Sequence, residues 1–385
     1  METRRARRPR LRQLVIDNNL DISLYFHIPF CTKKCPYCHF YVIPNQARHR
    51  ALLRDGFALE WAMQKELLEG TDARIVSIYF GGGTPTLFEV DAIGAILEWC
   101  GPLPADCEIT IEANPEDASP ALFESLRKVG INRISFGVQS LDDRSLAILE
   151  RAHSAIQAKK AIESAASMGL SNISIDLMYD LPDQTESSWR YTLNQLRDLP
   201  IQHLSLYNLT IEPHTSFYKR KNSLLLPKPE TSLRLLSEAV ATLETLGLAR
   251  YEISAFAKPG YQSKHNMGYW TFRPFLGFGP SAFSYWCGER FQNVPNLHRY
   301  IGALKEKRSP VHFRETLPYP HNLREQIAVG LRLKQGCPIP ENTPQDTKDV
   351  LNRLKQEGLL RQKEENIFLT DRGQLLYDSV ATEII

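Results

Sequence analysis

From residue 21 onward, short apolar or β-branched runs alternate with longer stretches in which apolar residues recur every three to four positions. The strand-like runs fall at 22–28, 75–80, 108–111, 133–137, 173–178 and 203–207. The helical-period stretches fall at 46–68, 90–99, 120–129, 155–168, 186–199 and 231–246. Such alternation predicts βα units, with parallel strands joined by crossover helices. No Gly-x-Gly-x-x-Gly opens the series, and six units fall short of a full barrel. The pattern therefore predicts an α/β fold built as an incomplete (β/α)6 barrel rather than a dinucleotide-binding sheet.

Polar signals stand at or just beyond the ends of these runs. Gly81-Gly82-Gly83-Thr84-Pro85 follows the second, Glu112-Ala113-Asn114-Pro115 the third and Gly137-Val138-Gln139-Ser140 the fourth. Asp176 lies in the fifth, and Tyr207-Asn208-Leu209-Thr210 ends the sixth. In a (β/α) barrel those ends converge on one face, which predicts a single shared pocket. Beyond residue 255 the alternation stops. An aromatic, Gly/Pro-rich stretch leads into a mainly helical region at 322–385, whose helix, short hairpin and helix resemble a winged-helix element. The expected organisation is a basic, disordered tail at 1–20, a partial barrel at 21–255 and a C-terminal domain at 256–385.

Charge alters this picture at one end only. The 385 residues balance at +2, but the first twelve hold six arginines and one glutamate; without them 40 basic residues face 43 acidic ones, a balance of −3. The body thus lacks the basic excess of a nucleic-acid-binding protein. No apolar run nears the roughly 20 residues of a membrane span, and no apolar signal segment is present. Seven cysteines without an export signal predict reduced thiols in the cytoplasm.

Three of those cysteines cluster in Cys31-Thr-Lys-Lys-Cys35-Pro-Tyr-Cys38-His39-Phe40. This C-x3-C-x2-C spacing supplies three thiolates from one loop, and a four-iron cluster held by three would keep one iron open. Zinc, with His39 or a remote residue as fourth ligand, is the alternative. Zinc sites usually add a distant second pair of ligands, and none is evident.

The motif, preceded by Tyr25-Phe-His-Ile-Pro-Phe30 and followed by Tyr79-Phe-Gly-Gly-Gly-Thr-Pro-Thr86, resembles the radical S-adenosylmethionine superfamily. It is most similar to the branch that holds the oxygen-independent coproporphyrinogen III oxidases (HemN) and the HemW haem chaperones. The resemblance implies a [4Fe-4S] cluster on Cys31, Cys35 and Cys38, and S-adenosylmethionine on its open iron. It further implies that Tyr25, Gly82, Glu112 and Thr210 contact that molecule. Tyr37, Gly83, Thr84, Gln139, Arg151 and Asp176 match positions the oxidases use for a second one. By residue chemistry, glycines allow close backbone approach, carboxylates accept from amino or ribose groups, and Arg151 can pair with a carboxylate.

Two departures bear on which branch member this chain resembles. The oxidases carry a further cysteine where Phe40 stands, and a longer segment before the motif. Lys264-His265-Asn266-Met267-Gly268-Tyr269-Trp270 resembles an H-N-x-x-Y-W hallmark of the HemW group, with His265 as a candidate haem ligand. The resemblance thus implies a chaperone that binds haem as cargo and passes it to an acceptor protein, in solution or at a membrane. An electron donor for the cluster is a further expected partner. The alternative is the oxidase itself, acting by radical oxidative decarboxylation.

Overall fold

The computed structural model describes residues 20–68 and 71–385; the arginine-rich start lies outside them. Six parallel strands appear where the periodicity places them: β1 (Asp21–Ile28), β2 (Arg74–Gly82), β3 (Glu108–Ala113), β4 (Arg133–Gln139), β5 (Asn172–Tyr179) and β6 (His203–Asn208). Helices Ala47–Leu68, Val90–Trp99, Pro120–Lys128, Ala155–Ser167 and Glu186–Asn194 return the chain between them. Ser119, Ser154 and Thr185 cap three of these helices, each accepting a hydrogen bond from a first-turn backbone N–H.

The sheet does not end at residue 255. Strands β7 (Ala249–Glu252) and β8 (Ala255–Ala257) add antiparallel to β6. Strand β9 (Phe275–Phe278) then returns to the opposite edge and pairs parallel with β1. Strands β10 (Phe283–Trp286), β11 (Glu289–Asn293) and β12 (Val311–Glu315) continue from it antiparallel. The resulting twelve-stranded order is β12-β11-β10-β9-β1-β2-β3-β4-β5-β6-β8-β7. The main core likewise runs on to Leu304, while a second gathers Leu323 to Ile384. Sheet and core thus run on past the break expected at residue 255, and the chain passes from one core to the other in the stretch between 304 and 323. Long-range pairing of β9 with β1 decides this, and local periodicity carries no record of it. The second core contains the expected helices and a hairpin of Leu360–Lys363 with Asn366–Leu369.

Side chains along the parallel strands alternate between two buried layers. In β1, Leu24, Phe26 and Ile28 belong to the apolar core under the helices, while Ser23, Tyr25 and His27 occupy the other face. That inner face is polar throughout. Ser77 donates to Ser23 at 2.9 Å, and His203 lies between Ser174 at 2.8 Å and the Tyr251 hydroxyl at 2.9 Å. Burying polar groups is costly unless they are hydrogen-bonded; these side chains are paired, whereas Thr110 Oγ1 on the same face has no partner among the described residues.

Candidate functional site

The cysteine loop leaves the C-terminal end of β1 and is tied at its base. Phe30–Cys31 pairs with Ile43–Pro44, Asn45 N donates to the Cys31 carbonyl at 3.1 Å, and Cys38 N donates to the Cys35 carbonyl at 3.1 Å. Phe217, beyond β6, donates its N–H to the Pro36 carbonyl at 2.9 Å. The glycine run seats this loop. Gly83 N donates to Ile28 O at 2.9 Å, Thr84 N donates to Phe30 O at 2.7 Å, and a Cβ on Gly83 would lie 2.6 Å from that carbonyl oxygen.

The N–H groups of Gly82 and Gly83 are thus used within the protein, Gly82 donating to Glu112 Oε2 at 2.9 Å. Both glycines line the cavity, with their backbone packed closely at its wall. Gly83→Ala is expected to displace the cysteine strand and cost about 2 kcal/mol, as overpacking does. Thermal unfolding of the anaerobic protein, with its iron content, checks this; a wild-type melting curve would contradict it.

Cys31, Cys35, Cys38, Tyr37, Gly82, Gly83, Thr84, Glu112, Gln139, Arg151, Asp176 and Thr210 all line one cavity of about 430 Å³. That volume lies within the roughly 300–1,000 Å³ typical of small-molecule sites. Arg151 organises the wall beside the cysteines. It donates to Cys35 Sγ at 3.3 Å, to Asn114 Oδ1 at 2.6 Å and to the Gly137 carbonyl at 2.8 Å. Asn114 donates onward to Thr84 Oγ1 at 2.8 Å, which lies 3.7 Å from Cys31 Sγ. Asn114 has no signal of its own in the sequence beyond its place after β3.

Two carboxyls face the same space. Burial first, and then Asp176, pushes the Glu112 carboxyl up to about 7, against hydrogen bonds from the Tyr79 hydroxyl at 2.9 Å and from Gly82 N. Burial lifts Asp176 to about 6, while hydrogen bonds from Ser205 and Ser135 and the nearby Arg133 pull it down. Carboxyls raised this far are partly neutral near pH 7, and a cation placed beside them would draw them back towards the charged form.

Tyr25 and His265 stand apart from the cavity lining. The Tyr25 hydroxyl lies 3.0 Å from His27 Nδ1, and its ring approaches Gly81, where a Cβ would come within 3.0 Å. His265 is 1% exposed, and both ring nitrogens are engaged, Nδ1 with Ser77 Oγ at 3.1 Å and Nε2 with the Tyr269 hydroxyl at 2.8 Å. In this structure His265 presents neither ring nitrogen to open space, whereas a haem-iron ligand needs one free. Burial, followed by Arg273 and Arg133, lowers its pKa to about 3, so the ring is neutral.

Comparison with known proteins places this geometry. The Radical SAM superfamily model matches residues 25–196, and the HemN C-terminal domain model matches residues 317–376. The heme chaperone HemW of Bacillus subtilis (strain 168) is 33% identical over 373 residues, covering 93% of this chain and 97% of its own. The chain belongs to the radical S-adenosylmethionine family, in its HemN/HemW branch.

Within that family, the Bos taurus protein named radical S-adenosyl methionine domain-containing protein 1, mitochondrial, is 38% identical over 391 residues, covering 94% of this chain and 87% of its own. The solved structure of Escherichia coli coproporphyrinogen III oxidase (HemN) superposes with a TM-score of 0.83 at 24% identity, covering 96% and 91% of the two chains. At that identity the likeness shows the fold alone. The family implies a [4Fe-4S] cluster and S-adenosylmethionine, and the donor set fits both. Three thiols and a guanidinium line one wall, and two carboxyls line the same cavity. Among the described residues, no three of His, Cys, Asp and Glu converge closely enough for a single ion. A [4Fe-4S] cluster takes each thiolate on a separate iron, and the three cysteines of this loop line the cavity that would hold it.

Proposed function

We propose that this protein is a haem chaperone that binds a [4Fe-4S] cluster, S-adenosylmethionine and haem, and hands the haem to an acceptor protein. One observation carries the reading: the chain matches, along nearly its full length, a relative named heme chaperone HemW. Phe40 supports it, since the cavity rim there presents a half-exposed aromatic ring rather than a further thiol. The cytoplasm is the proposed location, and among the described residues no helix is long and apolar enough to cross a membrane.

Cys31, Cys35 and Cys38 would hold the cluster, which when bound supplies an open iron for chelation and an electron for the sulfonium. Glu112 and Asp176 would accept hydrogen bonds from the amino and ribose groups of S-adenosylmethionine, and Thr210, Gln139 and Tyr37 would line its surroundings. Arg151, which donates to Cys35 Sγ at 3.3 Å, would pair with that sulfur in the assembled cluster. Burial pushes the Cys31 thiol up to about 11, with the neighbouring cysteines adding to it, so cluster assembly on this loop must release protons.

The test is haem titration of the anaerobic, reconstituted protein with and without S-adenosylmethionine, scored for coproporphyrinogen III turnover in the same sample. Saturable haem binding without decarboxylation is the expected result; decarboxylation would replace this reading with the oxidase. Affinity for S-adenosylmethionine should also rise with pH. Below about 6 both carboxyls are protonated in the empty protein, and above about 7 both carry charge for the ammonium. Equilibrium dialysis across that window checks the sign, and an affinity that falls with pH would exclude the two carboxyls as its partners.

A further inference from the structure

The H-N-x-x-Y-W segment forms a short helix, Lys264–Trp270, between β8 and β9. It docks beneath the cavity, at the N-terminal ends of the parallel strands. The carboxylate of Glu108, the first residue of β3, accepts from Lys264 N and His265 N, each at 3.0 Å, and from Ser263 Oγ at 3.2 Å. Arg273 donates to the Lys264 carbonyl at 2.8 Å. At the far end of the helix, the Arg332 guanidinium stacks 4.3 Å from the Trp270 ring centroid. This grip comes from the second core, so the segment joins that unit to the barrel.

His265 then reaches the cavity indirectly. Its ring packs on Tyr79 with centroids 4.9 Å apart, and Tyr79 stacks on Tyr25 at 6.2 Å. Tyr269 holds the other edge of the imidazole, meeting it edge-on at 5.0 Å. The Tyr79 hydroxyl leaves this stack to donate to Glu112 Oε1 at 2.9 Å. A glycine at 81 is required above it, because a Cβ there would lie 2.9 Å from Tyr79 Cε1.

We propose that His265 and Tyr269 are positioning residues for S-adenosylmethionine: through the ring of Tyr79 they aim Glu112 at the ligand's ammonium. The inference rests on the reading that this cavity holds that ligand. It gives the H-N-x-x-Y-W segment a function that its buried, doubly bonded imidazole can perform as it stands.

The test measures S-adenosylmethionine affinity by equilibrium dialysis on the full chain, reconstituted anaerobically, as wild type, His265→Ala, Tyr79→Phe, Glu112→Gln and the His265→Ala/Glu112→Gln pair. Haem stoichiometry is read on the same samples. His265→Ala and Tyr79→Phe should each weaken the ligand about tenfold, the scale of one lost oriented hydrogen bond to a charged group. In the Glu112→Gln background, His265→Ala should cost less than about twofold more, since a residue acting through Glu112 has nothing left to position. Haem stoichiometry should stay at the wild-type value.

Full additivity of the two substitutions, unchanged affinity in both single variants, or loss of haem with affinity retained would each overturn the proposal. If His265→Ala fails to fold, Tyr79→Phe decides alone, because it removes a single oxygen. A wild-type protein that binds no S-adenosylmethionine would refute the underlying reading and this inference together. Wild-type binding with insensitive variants refutes only the inference.

Discussion

Cys35→Ser protein, purified without oxygen and supplied with iron and sulfide, should retain less than about a tenth of the wild-type iron, because serine is a poor donor to the soft iron–sulfur core. S-adenosylmethionine binding should vanish with it, since in the proposed complex the open iron would be one of the ligand's anchors. The sulfur at position 35 also receives the Arg151 hydrogen bond at 3.3 Å, so its loss frees that guanidinium edge as well. The same substitution at Cys100, Cys107, Cys287 or Cys337 should leave iron content unchanged. Cys100 donates to the Ile96 carbonyl within its own helix end, and Cys337 lies against Ile327 O in the second core. Colorimetric iron and sulfide assays and the visible spectrum decide the matter. A colourless wild type with stoichiometric zinc would restore the zinc reading, and a Cys35→Ser protein with full iron would move the cluster elsewhere.

Glu60→Ala should be the most destabilising single substitution away from the site, costing about 4 kcal/mol. Glu60 sits in helix Ala47–Leu68 at 1% exposure and receives four hydrogen bonds. Gly279 N and the Tyr300 hydroxyl donate to Oε2 at 2.8 and 2.6 Å, and Asn293 Nδ2 and Gln64 Nε2 donate to Oε1 at 2.6 and 2.7 Å. Gly279 follows β9 and Asn293 ends β11, so this carboxylate clamps the added strands onto a barrel helix. Alanine would leave the buried Gly279 N–H and Tyr300 hydroxyl without that acceptor, cost Asn293 Nδ2 one of its two bonds, and open a cavity. Glu60→Gln keeps one acceptor oxygen and should cost about half as much. Denaturant unfolding of the two variants gives the answer, and a Glu60→Ala loss below about 1 kcal/mol would show that the extension is held by packing alone.

Legibility followed the range of the interactions involved. Helix Val90–Trp99 appears at its expected bounds, and β2, β3 and β5 are only two or three residues longer than expected, because these elements are set by short-range periodicity. The cysteine loop was readable for a similar reason: its ligands lie within eight residues, so spacing alone restricts the chemistry. The convergence of Glu112, Gln139, Arg151 and Asp176 was also foreseeable, since parallel βα units send all their strand ends to one face. Asn114 was harder to see. Its importance lies in bridging Thr84 to Arg151, residues far from it along the chain.

The sequence by itself determined the βα alternation, the three-thiol loop and the family, all properties of residue order over short stretches. Only the tertiary structure decided what the Gly83 hydrogen atom makes room for, where the sheet ends and what His265 can do. A steric gap depends on what lies opposite it, and here that is the Phe30 carbonyl. An edge strand is defined by its partner, and β1 finds β9 across some 250 residues. The chemistry of an imidazole follows from what its two nitrogens touch, and Ser77 lies 188 residues away from His265.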